Sequence, residues 1–221
     1  MGEADVPGEG TAVGALPAGP LPPGGHAVCL GRLDVRPRAL GVPAGETVGR
    51  ARSLGSRRLL RQAVAAAAAT SPHRVVLDRD GHGRPVLRAP SGLDVSISHT
   101  ADVLVVGVAH GRRIGVDVEA RDRPLLAPGF AERFCHPEEL AELRELPPAE
   151  RNALLVRLWT LKEAYTKALG VGLAHDFARL RPRPVPGDGW WLEPSAPGWR
   201  LRCDPVMDRF VVARALGPDG L

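Results

Sequence analysis

The sequence predicts an α+β fold, and three observations predict it. Short apolar segments bounded by Gly, Pro and Asp turns recur along the chain. Two long stretches, Glu46–Thr70 and Ala149–Leu169, instead carry apolar residues at helical spacing. The order strand, helix, strands then occurs twice, with a seam near residue 110 and no exact internal repeat.

The first 25 residues are rich in Gly, Pro and Ala and hold the acids Glu3 and Asp5 with no basic stretch, so they read as a disordered leader rather than a signal peptide. His26–Val35 is mostly apolar and reads as the first strand. In the helix that follows, Leu54, Leu59, Leu60 and Val64 supply an apolar side, Arg57, Arg58 and Arg61 ride along it, and Thr70-Ser71-Pro72 halts it. Val75–Leu77 and Arg84–Leu87 flank Asp80-Gly81-His82-Gly83, the pattern of a hairpin. Asp94–Ser98 is a short strand, Val103–Ala109 is apolar enough for burial on both faces, and Ile114–Glu119 is the next strand. Helices are expected over Phe130–Leu143 and Ala149–Leu169, split by Pro147-Pro148. Trp190–Leu192, Trp199–Cys203 and Phe210–Ala213 then read as antiparallel strands. The domain expectation is a half over 26–110 and a second over 111–221.

Charge and cysteine usage narrow the function. Net charge is +4, which favours an anionic partner, but no basic block with interleaved aromatics points to nucleic acid. No apolar run approaches the ~20 residues needed to span a bilayer. Cys29, Cys135 and Cys203 are odd in number and lack a CxxC pair, which argues against a disulfide framework or zinc site and fits a cytoplasmic protein with inert thiols.

Leu154–Gly170, LLVRLWTLKEAYTKALG, stands out. Of 29 basic residues 27 are Arg, and the only two Lys, Lys162 and Lys167, fall here with the single Tyr165. Leu154, Leu158, Leu161, Tyr165 and Ala168 form one helical face, while Trp159, Glu163 and Lys167, each four apart, project from the other. That second face is either a surface pair, Glu163–Lys167, or a surface that contacts something. Asp117 and Glu119 are two apart on a strand, so both side chains point one way, about 6–7 Å apart at Cα. Like charges there need a cation. An Arg from Arg112, Arg113 or Arg121 can supply it, and so can a hard metal ion with Glu163 as third donor. Gly115 allows close backbone approach. Ser98-His99-Thr100, at a strand end, can meet an anion.

Gly115-Val116-Asp117 and Trp159-Thr160-Leu161-Lys162-Glu163-Ala164-Tyr165-Thr166-Lys167, taken together, resemble the 4′-phosphopantetheinyl transferases of the surfactin-synthetase-activating type. Ser96–Thr100, Ala131–Phe134 with Glu139, and Gly83-Arg84-Pro85 agree with that resemblance. It implies two similar α/β halves related by pseudo-twofold symmetry, with coenzyme A between them. It implies Mg²⁺, with Mn²⁺ as a substitute, on Asp117, Glu119 and Glu163. It implies coenzyme A contacts from Ser98, His99, Lys162 and Lys167, with Arg84 where many relatives carry Lys, and by position alone Arg57 or Arg58. The implied reaction moves the phosphopantetheine arm to a serine of an apo acyl or peptidyl carrier protein. Lys162 and Lys167 would attend the leaving group, and Glu163 or, second, Glu139 would accept the serine proton. A monomer is expected. The alternative is a coenzyme A or carrier-binding module without transfer.

Overall fold

The computed structural model describes residues 14–32, 48–186, 189–193 and 197–220, without the side chains of 48–52 and 173. Alternation decides which faces are buried. β1 (His26–Arg32) is followed by α1 (Val48–Ala67), the hairpin β2 (Val76–Arg79) and β3 (Pro85–Ala89), then β4 (Leu93–Thr100) and β5 (Val103–His110). β5 lies between β1 and β4, antiparallel to both. Its Val106 and Val108 face α1, where Leu60, Ala63, Val64 and Ala67 form a stripe at helical spacing. Val103, Val105 and Ala109 point to the opposite side. The expected burial on both faces therefore holds for this strand.

The second half repeats the plan. β6 (Arg112–Ala120) leads into α2 (Phe130–Phe134), α3 (Pro137–Arg144) and α4 (Pro148–Leu169), then β7 (Arg181–Val185), β8 (Gly189–Glu193), β9 (Arg200–Val206) and β10 (Phe210–Asp219). The sheet order is β6-β10-β9-β8-β7. In both halves the first strand pairs with the last and the last with the one before it. Ile114, Val116 and Val118 pack with Phe210 and Val212 against the inner face of the first sheet. The other face, with Ala213, Ala215, Leu201 and Leu192, receives Leu161, Ala164, Tyr165 and Ala168 of α4. Four layers result: α1, sheet, sheet, α4.

Two details set the site. A Cβ on Gly115 would stand 1.9 Å from the Ala164 carbonyl oxygen, so α4 lies directly on β6. Along the free edge of β6, side chains of β4 replace a missing strand: Ile114 N–H donates to Asp94 (2.9 Å) and Val116 N–H to Ser96 (3.1 Å).

Several expectations need correction. Residues 1–13 of the expected leader lie outside the described residues, as do 33–35 of the expected first strand. Residues 14–25 are not loose: Gly14 bridges to Cys29, and Leu21 N–H donates to the Ala67 carbonyl at the end of α1. The helix expected over 130–143 breaks at Cys135-His136-Pro137. There His136 caps α3 in a capping box with Glu139. β7 was not foreseen, because Pro182 and Pro184 mask it; it is an edge strand, where proline is tolerated. Lys162, Glu163 and Thr166 of α4 are buried together with its apolar residues.

Candidate active site

A cleft of about 710 Å³ opens between the two halves. α1 contributes Arg57 and Arg61, the end of β2 contributes Arg79, and the end of β4 contributes Ser98 and His99. β6 supplies Asp117 and Glu119, which its alternation turns away from the core valines. α4 supplies Trp159, Glu163 and Lys167, one turn apart. The close approach at Gly115 brings these two rows together.

The contacts are specific. Lys167 Nζ donates to Asp117 Oδ1 (2.6 Å) and Ser98 Oγ (3.0 Å), and Ser98 Oγ–H donates to the same carboxylate oxygen (2.7 Å). Asp117 Oδ2 is buried with no hydrogen-bond partner. Glu119 pairs with Arg123 and accepts a hydrogen bond from the Trp159 side chain. The Arg123 guanidinium also lies over the Trp159 ring, 5.4 Å from its centroid. Trp159 is packed among Phe130, Phe134 and Phe177. Glu163 is 9 % exposed and accepts no hydrogen bond at its carboxylate from a described residue. Burial pushes its carboxyl up to about 7, with Asp117 and Glu119 adding to the rise and Lys167 and Arg123 opposing it. Burial and then Asp117 likewise raise Glu119, against the pull of Arg123, Trp159 and Lys167.

The carboxylates therefore do not pair as expected with Arg112, Arg113 or Arg121. Arg112 binds Asp219, Arg113 approaches Asp94, and Arg121 donates to the Asp208 carbonyl. Arg123 and Lys167 compensate instead. Arg79 and Arg123 had no signal in the sequence beyond being two among many arginines.

Four expected site residues stand elsewhere. Lys162 is fully buried, where Nζ donates to Glu139 Oε2 (2.6 Å) and the Phe134 carbonyl (2.9 Å), so it has no path to the cleft. Glu139 is the buried half of that pair and also accepts from His136 N–H (2.7 Å), which removes it from the cleft as well. Arg84 is a clamp: it meets Asp94 through two nitrogens (2.9 and 2.7 Å) and donates to the Lys167 (2.8 Å) and Ile114 (3.0 Å) carbonyls. With those donors used, it does not line the cleft. Arg57 does, whereas Arg58 is exposed outside it. The three thiols are pushed up, Cys29 to about 11 and Cys135 and Cys203 to about 12, by burial, which leaves them inert.

A hard cation fits the donor set. Asp117, Glu119 and Glu163 converge on one cleft with an orphaned buried oxygen on Asp117, and burial, then their mutual repulsion, raises two of them. Among the described residues, no three His, Cys, Asp or Glu side chains stand close enough to ligate an ion as placed, and Lys167 and Arg123 are paired with two of the acids.

Comparison with known proteins bears on this cleft. Residues 113–213 match the 4′-phosphopantetheinyl transferase superfamily. The match takes in Asp117, Glu119, Glu163 and Lys167. Among curated proteins, the 4′-phosphopantetheinyl transferase HetI of Nostoc sp. is 34 % identical over 155 residues, covering 69 % of this chain and 65 % of that protein. The 4′-phosphopantetheinyl transferase psf-1 of Bacillus pumilus is 29 % identical over 125 residues, covering 57 % and 52 %. The chain thus spans somewhat more than half the length of these relatives. A holo-(acyl-carrier-protein) synthase from Bacillus anthracis, solved with CoA, superposes with a TM-score of 0.41 and 23 % identity, over 47 % of this chain and 93 % of that one.

Proposed function

We propose that this protein transfers the 4′-phosphopantetheine arm of coenzyme A to a serine of an apo acyl or peptidyl carrier protein, leaving 3′,5′-ADP, and that it is of the surfactin-synthetase-activating type. The observation that carries the reading is one cleft in which Asp117, Glu119, Glu163 and Lys167 share space with Arg57, Arg79 and His99. A pyrophosphate needs such a mixture: cations for its oxygens, and acids that hold a divalent metal. Residues 26–110 and 111–221 are read as the two lobes that close on it.

Asp117, Glu119 and Glu163 would hold Mg²⁺, or Mn²⁺ in its place, which when bound neutralises charge on the pyrophosphate and polarises its phosphorus. Lys167, which already bridges Ser98 and Asp117, would follow the charge that develops on the leaving group. Arg57 and His99, exposed at the other side, would bind the nucleotide's phosphates. The carrier serine's oxygen bonds to the β-phosphorus, the bond from that phosphorus to the bridging oxygen breaks, and the serine proton passes to a carboxylate. Glu163 is the acceptor we assign, because among the acids of the cleft it is the one not paired with a resident cation. Glu139 is not, because Lys162 closes it off.

Net charge of +4 suits an acidic carrier surface. Among the described residues no helix is long and apolar enough to cross a membrane. We read the protein as a cytoplasmic monomer. Incubation with coenzyme A, Mg²⁺ and an apo carrier protein tests the reading, with holo-carrier formation followed by intact mass and 3′,5′-ADP by chromatography. Both products are expected. Absence of both with carriers of the polyketide, peptide and fatty-acid kinds would overturn it.

A further inference from the structure

The three acids of the cleft are not equally free. Asp117 Oδ1 already accepts from Lys167 Nζ at 2.6 Å and from Ser98 Oγ at 2.7 Å. Glu119 is held by Arg123 and by the Trp159 side chain. Arg123 has two further contacts, one of which, to Asn152, is braced in turn. Its guanidinium lies over Trp159, Asn152 Nδ2 donates to its carbonyl (3.0 Å), and the Asn152 side-chain oxygen accepts from Leu125 N–H (2.9 Å). Only Glu163 and the orphaned Asp117 Oδ2, on a side chain 5 % exposed, remain unclaimed. Three carboxylates thus stand against two resident cations, with Arg57, Arg61 and Arg79 lining the same cleft.

We propose that Lys167 and Arg123 are internal counter-ions that make divalent-metal binding contingent on an anionic ligand. The inference rests on the reading of Asp117, Glu119 and Glu163 as metal ligands, and goes beyond it by assigning how their occupancy is controlled. A metal arriving alone must break two ion pairs, and it leaves an ammonium and a guanidinium unpaired beside a dication in a half-buried cleft. A metal arriving with a pyrophosphate does not. The phosphate oxygens offer Lys167 a new acceptor as it leaves Asp117, and their charge offsets the added cation. Arg123, 36 % exposed at its side chain, can swing to solvent over the Trp159 ring. Metal and anionic substrate therefore bind with positive coupling, which by linkage is reciprocal.

Direct metal binding tests this without reference to turnover. Mn²⁺ alone is titrated into the full chain and followed by paramagnetic resonance of the free ion. The proteins are wild type, Arg123→Gln, Lys167→Met and, as a control for net charge, Arg121→Gln, whose guanidinium sits on the Asp208 carbonyl rather than on an acid of the cleft. Arg123→Gln and Lys167→Met are each expected to bind Mn²⁺ at least tenfold more tightly than wild type, with Arg121→Gln unchanged. Coenzyme A is expected to tighten Mn²⁺ binding to wild type, and to do so less in the two variants. Equal Mn²⁺ affinity in wild type and Arg123→Gln, or an equal gain in Arg121→Gln, would overturn the proposal whatever coenzyme A does. Tighter binding in the two variants with no effect of coenzyme A on any protein would support the counter-ion assignment while sinking the coenzyme A reading.

Discussion

Replacing Glu163 by glutamine without metal should stabilise the protein at alkaline pH and leave it nearly unchanged at acid pH. The unfolded chain ionises this carboxyl at its ordinary value of 4.5, whereas in the fold burial, Asp117 and Glu119 push it up to about 7. Between those values the folded state holds a proton that the unfolded state has lost, so stability falls as pH rises through the window and levels off above it. At about 1.4 kcal/mol per unit the accumulated cost is about 3 kcal/mol above pH 7. Glutamine keeps the shape and never ionises. At pH 8 in EDTA, urea unfolding read by tryptophan fluorescence should show Glu163→Gln more stable by up to about 3 kcal/mol, a gap shrinking below about 1 kcal/mol at pH 5. Millimolar Mg²⁺ together with coenzyme A should narrow the gap at pH 8 by stabilising the wild type more than the variant. A difference independent of pH, or a variant less stable at pH 8, would refute the electrostatic reading of the site.

Other outcomes follow from the same contacts. Asp117→Ala should abolish Mg²⁺-dependent holo-carrier formation by intact mass while far-ultraviolet circular dichroism stays native; full activity would remove Asp117 from the metal assignment. Lys162→Ala should cost about 3–5 kcal/mol in urea unfolding, since it strands the buried Glu139 charge. Lys167→Ala, on a side chain 27 % exposed, should cost no more than about 1 kcal/mol yet depress transfer. A reversal of that order would mean that the two lysines have exchanged roles.

What the sequence could and could not reveal follows from geometry. Two carboxylates at i and i+2 of a strand must share a face, and steps of four on a helix keep Trp159, Glu163 and Lys167 within one side; both survive in the fold because each depends on a single backbone period. The same arithmetic separates the lysines. Five residues at about 100° each leave Lys162 and Lys167 roughly 140° apart, so they cannot both face one cleft. Their shared chemistry had suggested a shared target, and Lys162 instead turns to Glu139. Arg84 escaped for another reason. Its partners come from β4, β6 and the end of α4, and no local pattern announces a contact made across such sequence distance. Arg123 was hidden by number, since a chain with 27 arginines gives no ground for singling one out. The sequence left two readings open for the polar side of α4 because periodicity reports only where apolar residues are. It is silent on whether Glu163, Lys162 and Thr166 meet water or the rest of the fold.

Gly115 joins fold and site most tightly, and its substitution separates packing from chemistry. A methyl there would lie 1.9 Å from the Ala164 carbonyl oxygen, 2.5 Å from Ala168 N and 2.9 Å from Ala168 Cβ, all on α4. Backbone atoms cannot rotate aside, so the helix must lift from β6. Overpacking of this kind costs roughly 1–3 kcal/mol or more. Lifting α4 also carries Glu163 and Lys167 away from Asp117, two residues along β6 from the contact. Gly115→Ala should therefore lower the melting temperature and weaken Mn²⁺ binding in the presence of coenzyme A. The metal loss should persist at temperatures where circular dichroism shows the variant fully folded. A variant that melts early but binds metal with wild-type affinity would show that the acids are placed by β6 alone, and that the close contact of helix and strand serves stability only.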